Sequence, residues 1–134
     1  MVKIDLRSDT VTHPTREMRQ AMYEAELGDD VYGDDPTTNA LQEEAAELLG
    51  KEAALLVASG TQGNLVSLLS WATRGDEVLV GDQSHIFLNE AGGASALGGL
   101  VLYPIQTNDD GFFTEDIISR SIKPRDYHKA PTKL

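Results

Sequence analysis

The amino-acid sequence predicts an α/β layered fold with parallel strand pairing. Three observations predict it. Segments with apolar residues at helical spacing alternate with short continuous apolar runs. Those runs carry the pattern of strands buried on both faces, as parallel sheets require. Clusters of glycine, serine and aspartate separate the segments as turns. Strands that alternate with helices pair in parallel through crossovers, which gives layered α/β architecture.

Each element follows in order. Pro14 reads as a first helical residue capped by Thr12 or His13, with Met18, Ala21, Met22 and Ala25 recurring at helical spacing. Gly28-Asp29-Asp30 stops that helix, and an acidic loop runs to Asp35. Asp35-Pro36 opens a second helix with an apolar face of Leu41, Ala45, Leu48 and Leu49, ended by Gly50. Ala53 to Ala58 (AALLVA) reads as a first buried strand, with Ser59-Gly60-Thr61 as its turn. Gln62 to Thr73 is a helix with Leu65, Leu68, Leu69 and Ala72 inward. Glu77 to Val80 is a second buried strand. Asn89 to Leu97 reads as a short helix of small residues, weakened by Gly92 and Gly93. Leu100 to Ile105 is a third strand, Thr107 to Gly111 a turn, and Thr114 the cap of a helix to about Ile122. Thr132-Lys133-Leu134 begins a further strand. The chain divides into residues 1–50, an N-terminal arm and helices, and 51–134, an incomplete α/β domain. So small a parallel sheet leaves faces and edges that need cover.

Composition narrows the function. A length of 134 residues suits one ordinary domain, and 40% hydrophobic with 25% charged residues is a globular balance. No apolar run approaches the roughly 20 residues of a membrane span. The start, MVKIDLRSDT, carries charges where a signal peptide needs an apolar stretch. The absence of cysteine excludes disulfides, thiolate metal sites and a thiol nucleophile. A cytoplasmic setting, no membrane partner and no bound metal are the expectations. Eleven basic against 22 acidic residues, net −11, disfavours bulk nucleic-acid binding, which cationic side chains drive. Residues 1–50 hold 12 acids and 4 bases, while 120–134 hold five bases and one acid; both regions read as solvated surface.

Ala58-Ser59-Gly60-Thr61-Gln62-Gly63-Asn64 reads as strand, tight turn and helix start. Outward N–H groups, the helix dipole, two hydroxyls and a glycine suit a phosphate. The same residues also suit a plain turn with a polar cap. The pattern is not a Walker loop, which needs Gly-Lys-Ser/Thr. His85 follows the second strand, at the carboxyl edge where parallel sheets place ligands, and so shares that edge with Ser59-Gly60-Thr61. It can stack on a planar ring or move protons, or simply sit at the surface. By residue type alone His13 and His128 read as surface. The Asp29–Asp35 loop fails the EF-hand spacing, since Val31, Gly33 or Tyr32 would occupy ligand positions. Gly-x-Gly-x-x-Gly and Gly-x-Ser-x-Gly are both absent.

Several blocks together carry a resemblance. They are Asp5-Leu6-Arg7-Ser8-Asp9-Thr10-Val11-Thr12; Gly28-Asp29-Asp30-Val31-Tyr32-Gly33-Asp34-Asp35-Pro36-Thr37; Glu47 to Ala54; Ser59-Gly60-Thr61-Gln62-Gly63-Asn64; Arg74-Gly75-Asp76-Glu77-Val78; His85; and Glu90-Ala91-Gly92-Gly93. Over nearly its whole length the chain resembles the N-terminal part of the low-specificity L-threonine aldolases. These are pyridoxal-phosphate enzymes of the aspartate-aminotransferase-like fold (fold type I). The resemblance implies the N-terminal part of that large domain, a mainly parallel sheet with helices on both faces. It implies pyridoxal 5'-phosphate as cofactor, an amino-acid substrate, and a homo-oligomer in the full-length form.

It also assigns residues. Ser59, Gly60 and Thr61 match the family's phosphate cup, and His85 the histidine stacked on the pyridine ring. Ser8 matches a residue near the substrate carboxylate, and Tyr32 a tyrosine at the site's edge. His128 is similar to a second histidine near the substrate hydroxyl, and Glu90 to an indirect support. The implied reaction is retro-aldol cleavage of threonine or allo-threonine to glycine and acetaldehyde, with His85 or His128 as base. The family's cofactor-binding lysine and the acid at the pyridine nitrogen come from later strands. None of Lys3, Lys51, Lys123, Lys129 and Lys133 follows its lysine motif, and Gln62 stands where a methionine is commoner. The chain alone is therefore expected not to cleave threonine efficiently. The alternatives are a non-catalytic remnant that pairs with a full-length subunit, or a related fold-type-I lyase for another amino acid.

Overall fold

The computed structural model describes residues 4–134, so Lys3 lies outside the described residues. Two compact units form, one ending at Leu56 and one spanning Val57–Leu134.

The first unit is built from caps. Helix α1 (Arg16–Glu24) begins after Thr15, whose Oγ1 accepts the Met18 N–H at 3.2 Å. Pro14 therefore stays outside the helix: the hydroxyl nearest the first free N–H groups sets the boundary, and neither Thr12 nor His13 caps it. Helix α2 (Pro36–Leu49) begins and ends as its sequence predicts. Asp35 Oδ1 accepts the Thr38 N–H at 2.7 Å, Pro36 takes the first turn, and Gly50 ends the helix at φ 62°. The acidic loop closes on itself. Asp29 Oδ1 accepts the Val31 N–H at 2.9 Å, and Asp35 Oδ2 the Gly28 N–H at 3.1 Å. The predicted inward faces are not buried within this unit. Met18, Met22, Leu41, Leu48 and Leu49 are exposed, and Ala46 is buried.

The predicted strand at 53–58 does not form, and Leu55 and Leu56 are exposed. A strand exists only as half of a ladder, and this run has no neighbour to pair with among the described residues. Side-chain amides take two of its N–H groups instead: Gln42 Oε1 accepts from Leu56 at 2.8 Å, and Gln62 Oε1 from Ala58 at 2.9 Å.

The second unit holds the core. Helix α3 (Gly60–Trp71) is followed by β1 (Glu77–Gly81), the short helices α4 (His85–Leu88) and α5 (Gly93–Ala96), β2 (Val101–Ile105) and α6 (Glu115–Ser121). The predicted helix at 89–97 is broken because Ala91 and Gly92 take positive φ, 51° and 69°. The strands pair in parallel, Glu77 with Val101 through Gly81 with Ile105. On the other side of β1 the segment 131–134 adds a parallel bridge. There Pro131 O accepts the Glu77 N–H at 2.8 Å, and Leu134 O the Leu79 N–H at 2.7 Å. So β1 is central, and β2, with Pro104 in it, is an edge strand, where a missing N–H costs least. Leu68 and Ala72 of the α3 side pack with Val78, Val80, Ala94 and Leu100 as the buried cluster. Leu65 is half-buried and Leu69 exposed, so the inward stripe is narrower than its spacing predicts. Each buried Val or Leu contributes roughly 1.5–3 kcal/mol, which makes these few residues the main stabilising layer of the unit.

Candidate active site

The start of α3 is an open donor site. Ser59 caps the helix, its Oγ accepting the Gln62 N–H at 3.1 Å, and Ser59 O accepts the Gly63 N–H at 3.0 Å. The N–H groups of Gly60 and Thr61 find no acceptor among the described residues. A side chain added at Gly60 would meet nothing within 4 Å, so the backbone there is open at Cα. Two free N–H groups, the Thr61 hydroxyl and the positive end of a 12-residue helix are a donor set for a phosphate.

His85 opens α4, four residues past the carboxyl end of β1. The strand end is tied down nearby. Asp82 accepts from Thr107 N at 3.2 Å and from Thr107 Oγ1 at 3.1 Å, joining the ends of β1 and β2. The Thr107 backbone N–H holds the Asp82 carboxyl below the usual carboxylate range, with the hydroxyl adding to it. Glu90 is the buried group beside His85. Its Oε1 accepts from Asn64 Nδ2 at 2.6 Å and lies 2.9 Å from His85 Nδ1. The Glu90 side chain is 3% exposed while that of His85 is 63% exposed, so the carboxylate anchors a ring that remains accessible. Thr61, Leu65, Leu68, Glu90, Ala91 and Leu97 line a cavity of about 240 Å³. The structure thus brings Thr61, Glu90 and His85 into one neighbourhood.

His128 makes a separate pair. Its Nδ1 lies 3.1 Å from Asp126 Oδ1, and its side chain is 92% exposed. The His128 backbone N–H, more than any other group, lowers the Asp126 pKa. No hydrogen bond among the described residues links His128 to His85, Ser59 or Thr61. Ser8 and Tyr32 belong to the first unit. Ser8 caps a 3-10 turn, its Oγ accepting the Thr10 N–H at 3.2 Å, and Tyr32 is exposed at the end of another. Asn64 is the functional neighbour that residue-type reasoning missed. The signal was present: Asn64 lies four residues before buried Leu68, so a polar group occupies an inward register and needs a partner. The second unit's lysines lie elsewhere. Lys123 pairs with Glu77 at the amino end of β1, the Lys133 N–H bonds Glu77 O, and Lys129 lies 3.7 Å from Asp126.

The beta-eliminating lyase family model matches residues 5–134. The chain is 57% identical over 131 residues to the low specificity L-threonine aldolase of Escherichia coli (strain K12), covering 98% of this chain and 39% of that protein. It is 49% identical to the probable low-specificity L-threonine aldolase 2 of Arabidopsis thaliana, covering 98% of this chain and 38% of that one. It is 36% identical to the alanine racemase TOXG of Cochliobolus carbonum, over 98% of this chain and 34% of that one. The chain therefore spans less than two fifths of these relatives' length. On the match across residues 5–134, the chain belongs to the beta-eliminating lyase family.

Proposed function

We propose that this chain supplies the phosphate-binding and proton-handling half of a pyridoxal-phosphate-dependent threonine aldolase site. The reaction is cleavage of threonine or allo-threonine to glycine and acetaldehyde. The observation that carries the reading is the pair of unmatched N–H donors at Gly60 and Thr61, in a chain 57% identical to a named threonine aldolase. The donor set fits the phosphate end of the cofactor, with Gly60 and Thr61 N–H groups, Thr61 Oγ1 and Ser59 as the cap that aims them. The cofactor's electron-withdrawing ring would stabilise the electron pair left on Cα when the Cα–Cβ bond breaks.

The chain's own residues do the rest. His85 presents an accessible imidazole, suited to lie against a planar ring and to take the β-hydroxyl proton. Glu90 and Asn64 hold it in place. Ser8, Tyr32 and His128 belong to this reading as substrate-side groups, with His128 the second candidate base. The full fold-type-I large domain with helices on both faces, a homo-oligomer and a cytoplasmic setting belong to it too. A related fold-type-I lyase for another amino acid is the second reading; the likeness to an alanine racemase supports a different amino acid as substrate, not a different bond cleaved.

Titration of the chain with pyridoxal phosphate, followed by absorbance, tests the site. Saturable binding that inorganic phosphate competes away is expected, and Thr61→Ala should weaken it about 10-fold, the loss of one charge-assisted hydrogen bond of ~1.5 kcal/mol. Absence of binding, or equal binding by Thr61→Ala, would overturn the assignment. Acetaldehyde release from added threonine should show no sustained turnover. Lys123 pairs with Glu77 and Lys129 with Asp126, and neither shares a hydrogen bond or ion pair with His85 among the described residues.

A further inference from the structure

We infer that Glu90 is a positioning residue that fixes the tautomer of His85, leaving Nε2 as the proton-accepting atom of the site. The inference rests on His85 belonging to the site proposed above, and it decides which of its two ring nitrogens acts. Three observations carry it. Glu90 Oε1 lies 2.9 Å from Nδ1 of His85, so this nitrogen is the bonded one. The same oxygen already accepts from Asn64 Nδ2 at 2.6 Å, so it meets His85 as an acceptor. Nδ1 must then carry the hydrogen. Third, the Glu90 side chain is 3% exposed, so water cannot easily replace the imidazole as its partner.

The consequence follows from imidazole chemistry. A neutral imidazole has one N–H and one lone pair. With hydrogen on Nδ1, the lone pair sits on Nε2, on the far side of the ring from Glu90 and on a side chain that is 63% exposed. Free imidazole side chains favour the opposite tautomer, so this state exists only while Glu90 holds it. Asn64 completes the device. Its amide bond restrains the carboxylate from α3, the helix that also carries Gly60 and Thr61. One helix thus orients the phosphate donors at its start and, one turn later, the base.

Backbone geometry supports the same role. Ala91, directly after Glu90, takes φ 51°, a left-handed conformation that costs a non-glycine residue energy. With Gly92 at φ 69°, the two residues make the sharp turn between α4 and α5 that follows Glu90.

The test is nitrogen NMR of the histidine rings in the ¹⁵N-labelled chain, recorded along a pH series up to its alkaline plateau, where the ring signals no longer change. The His85 signal is assigned by its loss in His85→Gln. The expected result is a protonated-type shift at Nδ1 and a lone-pair-type shift at Nε2, with Glu90→Ala moving the population predominantly to Nε2–H. Glu90→Gln, whose amide oxygen can still accept, should restore the Nδ1–H form. A wild-type chain with hydrogen on Nε2 would overturn the inference, and so would an unchanged tautomer in a folded Glu90→Ala. The wild-type measurement decides even if Glu90→Ala does not fold. No cofactor is present, so failure here leaves the phosphate titration intact. A failed titration with the expected tautomer would remove the cofactor reading but not the Glu90–His85 assignment.

Discussion

Two buried carboxylates mark the two ends of β1, and they are used in opposite ways. Glu77, at the amino end, is fully buried and closed on every side. Lys123 Nζ bonds its Oε2, Thr132 Oγ1 donates to its Oε1 at 2.8 Å, and Tyr103 lies under the ammonium at 4.5 Å. Glu90, past the carboxyl end, is nearly as buried, but its partner is an imidazole left open to solvent. A charge closed by a charge fixes structure. A charge closed by a titratable ring with a free nitrogen can do chemistry. Exposure of the partner, rather than burial of the acid, separates the two roles. The His128–Asp126 pair sharpens the point from the other side, since its acid is 34% exposed and its ring sits in solvent. Such a pair holds a ring weakly.

Lys123→Ala should break this comparison hardest. It leaves Glu77 buried without its cation, which costs about 3–5 kcal/mol, read as a lower urea midpoint at unchanged slope. Replacing both partners, as Glu77→Leu with Lys123→Met, should recover most of that loss, because a well-packed apolar pair removes the uncompensated charge. The tautomer of His85 should not respond to either change. A shift of the His85 ring signals in Lys123→Ala would mean that the two ends of β1 are coupled and that the contrast is wrong.

Ala91→Gly probes the open end. Ala91 holds φ 51°, which costs an alanine roughly 1–2 kcal/mol and a glycine almost nothing. Part of that gain is lost to the larger backbone entropy of glycine when unfolded. The expected outcome is a more stable chain by up to about 1 kcal/mol, measured by the same denaturation. A destabilised variant would show that the Ala91 methyl group, on the wall of the 240 Å³ cavity, contributes more to packing than the turn costs.

What the sequence made legible follows from which elements are specified locally. Helix α2 was readable because Asp35, Pro36 and Gly50 each satisfy a terminus by themselves. Strands β1 and β2 were readable because both have a partner within the chain. The run at 53–58 has the same apolar character and finds no partner among the described residues, because a strand is a property of two segments. The apolar faces of α1 and α2 show the same limit, since spacing tells which side chains share a face and not whether a layer covers them. At the site, the predicted edge shared by Ser59, Thr61 and His85 rested on the strand at 53–58, which does not form; Thr61 and Glu90 line one cavity instead, and Glu90 meets His85. The bond from Asn64 to Glu90 spans 26 residues, and no local pattern states it. Resemblance to the aldolases added Ser8, Tyr32 and His128, which the geometry of the second unit alone does not join to His85.

The smallest expected effect concerns pH at the open end. Asp82 ties the ends of β1 and β2, and the Thr107 backbone N–H lowers its pKa from the ordinary 3.8. A carboxyl with a lower pKa when folded binds its proton less tightly there than in the unfolded chain. Its contribution is therefore fully present above about pH 4, and is lost as pH falls through 3.8 and below. Asp82→Asn keeps an oxygen that can accept from Thr107 but removes the titration. Stability measured by urea between about pH 5 and pH 2 should fall less steeply in the variant, with the two curves converging at the acid end. Parallel curves would show that the Asp82–Thr107 tie is not populated in solution. The carboxyl edge that carries His85 would then be held by Glu90 and Asn64, and the open end of β1 would depend on one buried carboxylate as fully as the closed end depends on Glu77.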